Sequence, residues 1–298
     1  MLLALAFSLS AAMVPHTELP SAFDGDRAFV MPRVADSRRR LVLWVDTDGN
    51  GFLRSNAVGE LHLQTVTILD KGQTTPAAYL PSLDERGFPP VTGNHGALPI
   101  LGGANVANDP IFAGIDGQLG WSWLSDRIWT IDYVGHHIYL DHTAPPYRAA
   151  DRVALSFDRD HRYPALDVAI DGKTYHAALD TAASIALSSR VSSSLNDGLP
   201  PVRAASFIPR RTLDAWHASH PEWTYVADAG TAKGVSLIRV PEVRANRVTF
   251  HDVWFSTRPD DDVFRGDTVD LKLGPSAFAR CAFTIDYVHD ASAFECAA

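Results

Sequence analysis

The sequence predicts an all-β chain built as two repeated halves, and three observations lead there. Short runs of β-branched and aromatic residues, bounded by Gly, Pro, Asn and Asp, recur along the whole chain, while helical periodicity is scarce. Two of these runs stop in the same way, at Asp46-Thr47 and at Asp180-Thr181. The close of the first half is then written a second time. Asp116, Leu119, Gly120, Thr130, Ile131, Asp132, Tyr133 and Val134 return as Asp270, Leu273, Gly274, Thr284, Ile285, Asp286, Tyr287 and Val288 at one offset of 154 residues.

At 298 residues and 46% hydrophobic content the chain can bury one large core or two smaller ones, and two domains are expected, 13–147 and 148–298. A net charge of -9, with no basic run longer than Arg38-Arg39-Arg40, argues against nucleic acid as a partner. Residues 1–12 are apolar, too short to span a bilayer, and end in small residues. They read as a signal peptide without a basic n-region, and so as export to a periplasm or the exterior. A buried N-terminal segment or a misassigned start codon would give the same pattern. No other stretch is long and apolar enough to span a membrane. Cys281 and Cys296 could close a short loop in an oxidising compartment or remain two buried thiols.

In chain order, residues 15–40 are weakly patterned and punctuated by Pro20 and Pro32, which suggests an edge segment. Leu41-Val42-Leu43-Trp44-Val45 is a buried strand, and it delivers Asp46 at its end. The alternation over 61–69 followed by Asp70-Lys71-Gly72 is strand then turn. Residues 75–109, rich in Pro, Gly and Asn, are where a lid or flap is expected, and His95 within them earns no role by itself. Gly120, a short helical stretch and two strands joined at Gly135 end the first half, and Ala144-Pro145-Pro146 reads as a linker. Beyond it, Asp171-Gly172 marks a two-residue hairpin whose second arm runs into Asp180. A helix near 213–220, strands over 235–240 and 248–255, and a solvated loop at Asp260-Asp261-Asp262 complete the chain.

Two Asp-Thr strand ends in register with a duplicated ending resemble the bilobal aspartic peptidases, the pepsin-like and retropepsin-like group, over nearly all of both halves. In that family each lobe supplies a strand ending in Asp-Thr/Ser-Gly and a later apolar-apolar-Gly segment that crosses beneath the Asp-bearing loop. Asp46-Thr47 and Asp180-Thr181 match the first element. Gln118-Leu119-Gly120 and Lys272-Leu273-Gly274 match the second, with Gln118 and Lys272 in place of an apolar residue. Bacterial members often end each lobe in a strand like Thr-Ile-Asp-Tyr.

The resemblance implies two pseudo-twofold-related β lobes of the pepsin/retropepsin type with an active-site cleft between them, and an aspartic endopeptidase with Asp46 and Asp180 as its catalytic pair. Two facing carboxyls cannot both ionise cheaply, so one keeps a proton; the ionised one activates water and the protonated one donates to the developing oxyanion. Thr47 and Thr181 would cross-link the two loops beneath the pair, with Gly120 and Gly274 passing below. The implied partner is a polypeptide substrate, with no cofactor and no metal, and a monomer is expected. The departures are Asp48 and Ala182, which stand where the family has Gly; Asp48 adds a third carboxyl beside the pair. Two alternatives follow from them. One is a non-catalytic homologue that binds a peptide or another partner in its cleft. The other is a cation site at Asp46 and Asp48, whose spacing imitates the start of an EF-hand loop but which has Ala57 where that loop needs a bidentate Glu.

Overall fold

The structure is a computed structural model that describes residues 16–70, 72–158, 163–258, 264 and 268–297. The expected signal peptide and the acidic loop at 260–262 lie outside the described residues. Strands dominate, and three large sheets organise them among the described residues. One eight-stranded sheet uses strands of the first half, a second uses strands of the second half, and a six-stranded sheet takes strands from both.

The same local unit lies at the heart of both eight-stranded sheets. In the first, Leu43–Val45 runs parallel to Gly117–Leu119, with Val45 opposite Leu119. In the second, Lys173–Leu179 runs parallel to Leu271–Leu273, with Leu179 opposite Leu273. Fully buried apolar side chains make these runs strands with no solvent face, as parallel pairing requires: Leu43, Leu119, Leu179 and Leu273 are all at 0% exposure. The hairpin into the second unit turns at Asp171 (φ 48°) and Gly172 (φ 72°), the left-handed pair that a two-residue connection needs.

The shared sheet explains the repeat at 154 residues. Ile128–Asp132 pairs antiparallel with Cys281–Asp286, its own copy, so that Thr130 faces Thr284 and their hydroxyls meet at 2.7 Å. An antiparallel pair of equivalent strands has a local twofold axis through its midpoint. The duplicated Thr-Ile-Asp-Tyr-Val segment is therefore the seam on which the two halves are related. Cys281 and Cys296 stand opposite each other on the last two strands and form a disulfide.

Two expectations are refined and one unforeseen element is added. Residues 16–30 lie at sheet edges, as expected, but as regular strands: His16–Leu19 ends the shared sheet, Ser21–Asp24 ends the first eight-stranded sheet, and Arg27–Val30 lies next to it, paired with Leu43–Val45. Pro20 and Pro32 fall between and after these strands, where a missing N–H costs no ladder bond. Residues 75–109 are not an irregular cover throughout. Gln73–Tyr79 is the second arm of a hairpin with Thr65–Asp70, and Ala97–Leu101 is inserted between that arm and Gly51–Arg54. The Gly- and Pro-rich flanks obscured two strands whose inward residues, Ala77, Ala78, Ala97 and Leu98, are buried. A helix at Ser55–Glu60, with only Ala57 and Val58 buried, carries too little periodicity to be seen in the sequence.

Candidate active site

Each parallel strand pair ends by presenting one carboxyl. The Asp46 amide donates to Leu119 O at 2.9 Å and the Asp180 amide to Leu273 O at 3.0 Å, which continues the ladders one residue past the strands and fixes both backbones alike. The loops then join through their threonines. Thr47 N–H donates to Thr181 Oγ1 and Thr181 N–H to Thr47 Oγ1, both at 3.1 Å. Each hydroxyl in turn donates across to the other half, Thr47 to Leu179 O (2.6 Å) and Thr181 to Val45 O (2.8 Å). With both threonines at 0% exposure, four dry reciprocal bonds lock the loops in one mutual position.

The glycines beneath do what a side chain would prevent. A Cβ at Gly120 would overlap the Gly49 carbonyl, which instead accepts from Trp121 N at 2.6 Å. A Cβ at Gly274 would overlap the Ala205 carbonyl in the same manner. Asp48 and Ala182 are not among the described residues with positive φ, so neither place demands glycine on backbone grounds. Their amides serve the carboxyls: Asp48 N donates to Asp46 Oδ1 (2.9 Å) and Ala182 N to Asp180 Oδ1 (3.0 Å). The close approach that the family places at the third motif position falls one residue later here, where a Cβ at Gly49 would strike the Asp46 carboxylate.

Asp46 and Asp180 are 6% and 7% exposed. Burial pushes both carboxyls up, and Asp46 further, because the charges of Asp180 and Asp48 add to the burial; Asp48 N–H and Lys272 only partly oppose this. At Asp180 burial is opposed by Lys272, by the Ala182 amide and by Arg258. Burial and the mutual repulsion of the two carboxylates therefore favour one proton shared by the pair. Gln118 Nε2 donates to Asp46 Oδ2 from its own half. Lys272, the residue at the equivalent register 154 positions on, crosses between the halves and pairs with Asp48 Oδ2 at 2.6 Å. Both side chains of that pair are nearly buried, at 9% and 8% exposure. Asp48 thus brings a compensating cation with it.

The duplicated tyrosines flank the same centre. Burial, then the charges of Asp46 and Asp48, push the Tyr287 phenol well up; burial, Asp26 and Asp180 do so for Tyr133.

No family model matches the chain, and no curated protein matches it. Among solved structures it is similar to conglutin gamma, a basic 7S globulin from lupine seeds, with a TM-score of 0.51 over 95% of both chains and 8% identity. The fold is aspartic-protease-like. Weaker likenesses include the basic 7S globulin of soybean (TM-score 0.48, 9% identity, 95% of each chain) and a retropepsin-like aspartic protease from Rickettsia conorii (TM-score 0.31, 15% identity, 48% of this chain and 89% of that one).

Within the aspartic-protease-like fold, the sequence-predicted residues Asp46, Thr47, Asp180, Thr181, Gly120 and Gly274 come together in one centre, with Asp48 and Ala182 at its rim. His95 does not join them: it lies in the turn Gly93–Gly96. Gln118 and Lys272, imperfect matches to the family pattern, both reach the carboxyl cluster. The signal was available, since a polar residue interrupts a buried apolar strand at the same register in both halves. Arg258 left no such trace.

Proposed function

We propose that the chain is an aspartic-type endopeptidase that hydrolyses polypeptides with water activated by Asp46 and Asp180. The observation that carries this is the reciprocal Thr47–Thr181 lattice beneath two buried carboxyls whose affinity for protons is raised. Such a pair retains one proton over a wide pH range. Asp180, relieved by Lys272 and Arg258, takes a proton from the water as its oxygen bonds to the scissile carbonyl carbon. Asp46 gives its proton to the carbonyl oxygen, forming a gem-diol. Collapse of the diol breaks the C–N bond; the nitrogen takes the proton that Asp180 gained, and Asp46 recovers its own. The Lys272–Asp48 pair supports the same chemistry, because it cancels the third carboxylate and leaves the dyad with one negative charge.

Export belongs to this proposal. The apolar start of the chain and the Cys281–Cys296 disulfide both suit an oxidising compartment, a periplasm or the exterior. A polypeptide bound as a monomer's substrate is the partner.

One observation favours a second function, that of a non-catalytic polypeptide binder: Gln118 caps the Asp46 oxygen Oδ2. Incubating the chain from residue 13 onward with denatured protein between pH 3 and 7, beside Asp180→Asn, separates the two. Cleavage that disappears in the variant is expected. Binding of denatured protein with no cleavage across that range selects the binder.

A further inference from the structure

A cavity of about 300 Å³ is bounded by both halves of the chain. The short turn Pro110–Phe112 of the first half forms one wall, and the strand Ser184–Ala186, which begins four residues after Asp180, forms the facing one. Ile111, Ile185, Phe207 and Val235 make the lining mainly apolar. Among the described residues, two charged side chains enter that lining, Asp109 and Arg258.

These two charges are not equivalent. Asp109 is occupied, since its Oδ1 accepts from Ile111 N at 2.9 Å and holds the start of the turn. Arg258 lies with its Cζ 5.1 Å above the Phe207 ring and forms no ion pair among the described residues. A guanidinium stacked on an aromatic face keeps its in-plane donors free, and that fork suits a carboxylate. The wall also carries a second unspent donor. Ser184, 3% exposed, has a buried hydroxyl with no hydrogen-bond partner among the described residues. Burial raises the Asp180 carboxyl and Arg258 partly offsets this, so the guanidinium already acts electrostatically on the dyad.

We propose that this cavity is a specificity site for an acidic side chain of the bound polypeptide, a glutamate or aspartate whose carboxylate pairs with Arg258 while its stem lies on Phe207 and Ile185. The site rests on the polypeptide-binding function proposed above and adds the chemical class that it selects. Water in the cavity would leave Arg258 stacked and solvated; an entering carboxylate replaces that solvation with a charge-assisted bond, and a neutral amide of equal size replaces only part of it. Lysine at the same place meets a like charge. The bound carboxylate also cancels the Arg258 charge beside Asp180, so an acidic substrate raises the affinity of the dyad for its proton as it binds.

The test uses the chain from residue 13 onward and hexapeptide libraries in which one position in turn is fixed as Glu, Gln or Lys and the others are randomised. Cleavage is read with the wild-type chain, and binding by fluorescence anisotropy with Asp46→Asn. One Glu position should exceed its Gln counterpart by about tenfold, on the scale of a charge-assisted over a neutral hydrogen bond. Arg258→Gln should bring that ratio near one, and Arg258→Glu should move the preference to the Lys library. Asp109→Asn, which removes the competing acid, should strengthen the Glu preference. A gain for Lys in Arg258→Glu also shows that the variant is folded. Equal use of Glu and Gln by the wild type, or a Glu preference that survives Arg258→Gln, overturns the site and leaves the peptidase intact. If no library is bound or cleaved, polypeptide binding itself fails, and the site fails with it.

Discussion

Asp48 is the residue that most separates this chain from the family pattern, and Lys272 changes what it means. An unpaired third carboxylate beside a buried pair would crowd the centre with negative charge. With its ammonium at 2.6 Å the pair is internally neutral. Breaking a nearly buried ion pair by removing one partner leaves a stranded charge, which costs about 3–5 kcal/mol, while removing both partners is far milder. Lys272→Met should therefore destabilise strongly in urea, and Asp48→Asn with Lys272→Met should recover most of the loss; additive effects would refute the coupling. The dyad itself predicts a pH signature. Its carboxyls are raised in the folded chain, so the folded state binds more protons than the unfolded one above the ordinary carboxylate range. Their contribution to stability is then full below the unfolded pKa and is lost as pH rises through the folded values. Asp46→Asn, which fixes a neutral side chain in the same cavity, should melt higher than the wild type at pH 7, with the gap closing below about pH 4. A variant that melts lower at pH 7 would contradict the sign.

The two Asp-Thr strand ends show how much of an element the sequence makes legible. Leu-Val-Leu-Trp-Val before Asp46 and Ala-Ala-Leu before Asp180 announce buried strands that stop at a carboxyl, and the repeat announces that the two are related. The direction in which a side chain leaves the strand is not written there. Gln118 and Lys272 hold the same register, yet one stays in its own half and the other crosses to Asp48. That choice is made by packing at the interface, which no local pattern encodes. Strands in the Pro- and Gly-rich stretch 75–109 were hidden for a related reason, because short buried alanine runs such as Ala77-Ala78 carry weak strand propensity. The threonine lattice depends on both loops at once. Thr47→Val keeps the shape, removes the donor to Leu179 O and strands the Thr181 amide, so it should cost about 2–4 kcal/mol in chemical denaturation. It should also lower kcat more than it raises KM, since it disturbs alignment and not contact with substrate. Unchanged kcat would show that the lattice has no part in aligning the pair.

At the scale of the molecule the two halves are joined by the strand that each repeats, and the antiparallel meeting of Thr130 with Thr284 gives the chain its internal axis. A linear repeat becomes one centre because the equivalent Asp-Thr strand ends meet across this relation and are bonded through Thr47 and Thr181. The last strand of the shared sheet is tied back by Cys281–Cys296, which closes a loop with a sequence separation of 15. A loop of that length is worth about 3 kcal/mol in chain entropy, so reduction or the double change to Ser should lower stability by about that amount; no change in the urea midpoint would count against it. Whether all of this architecture serves hydrolysis is decided by the pH dependence of kcat/KM on a denatured protein substrate. The dyad predicts a bell, with one limb for each coupled proton, and a loss of at least about 100-fold in both Asp46→Asn and Asp180→Asn. Hydrolysis whose bell is unchanged by either substitution, or no hydrolysis at any pH with the polypeptide nonetheless bound, would contradict it.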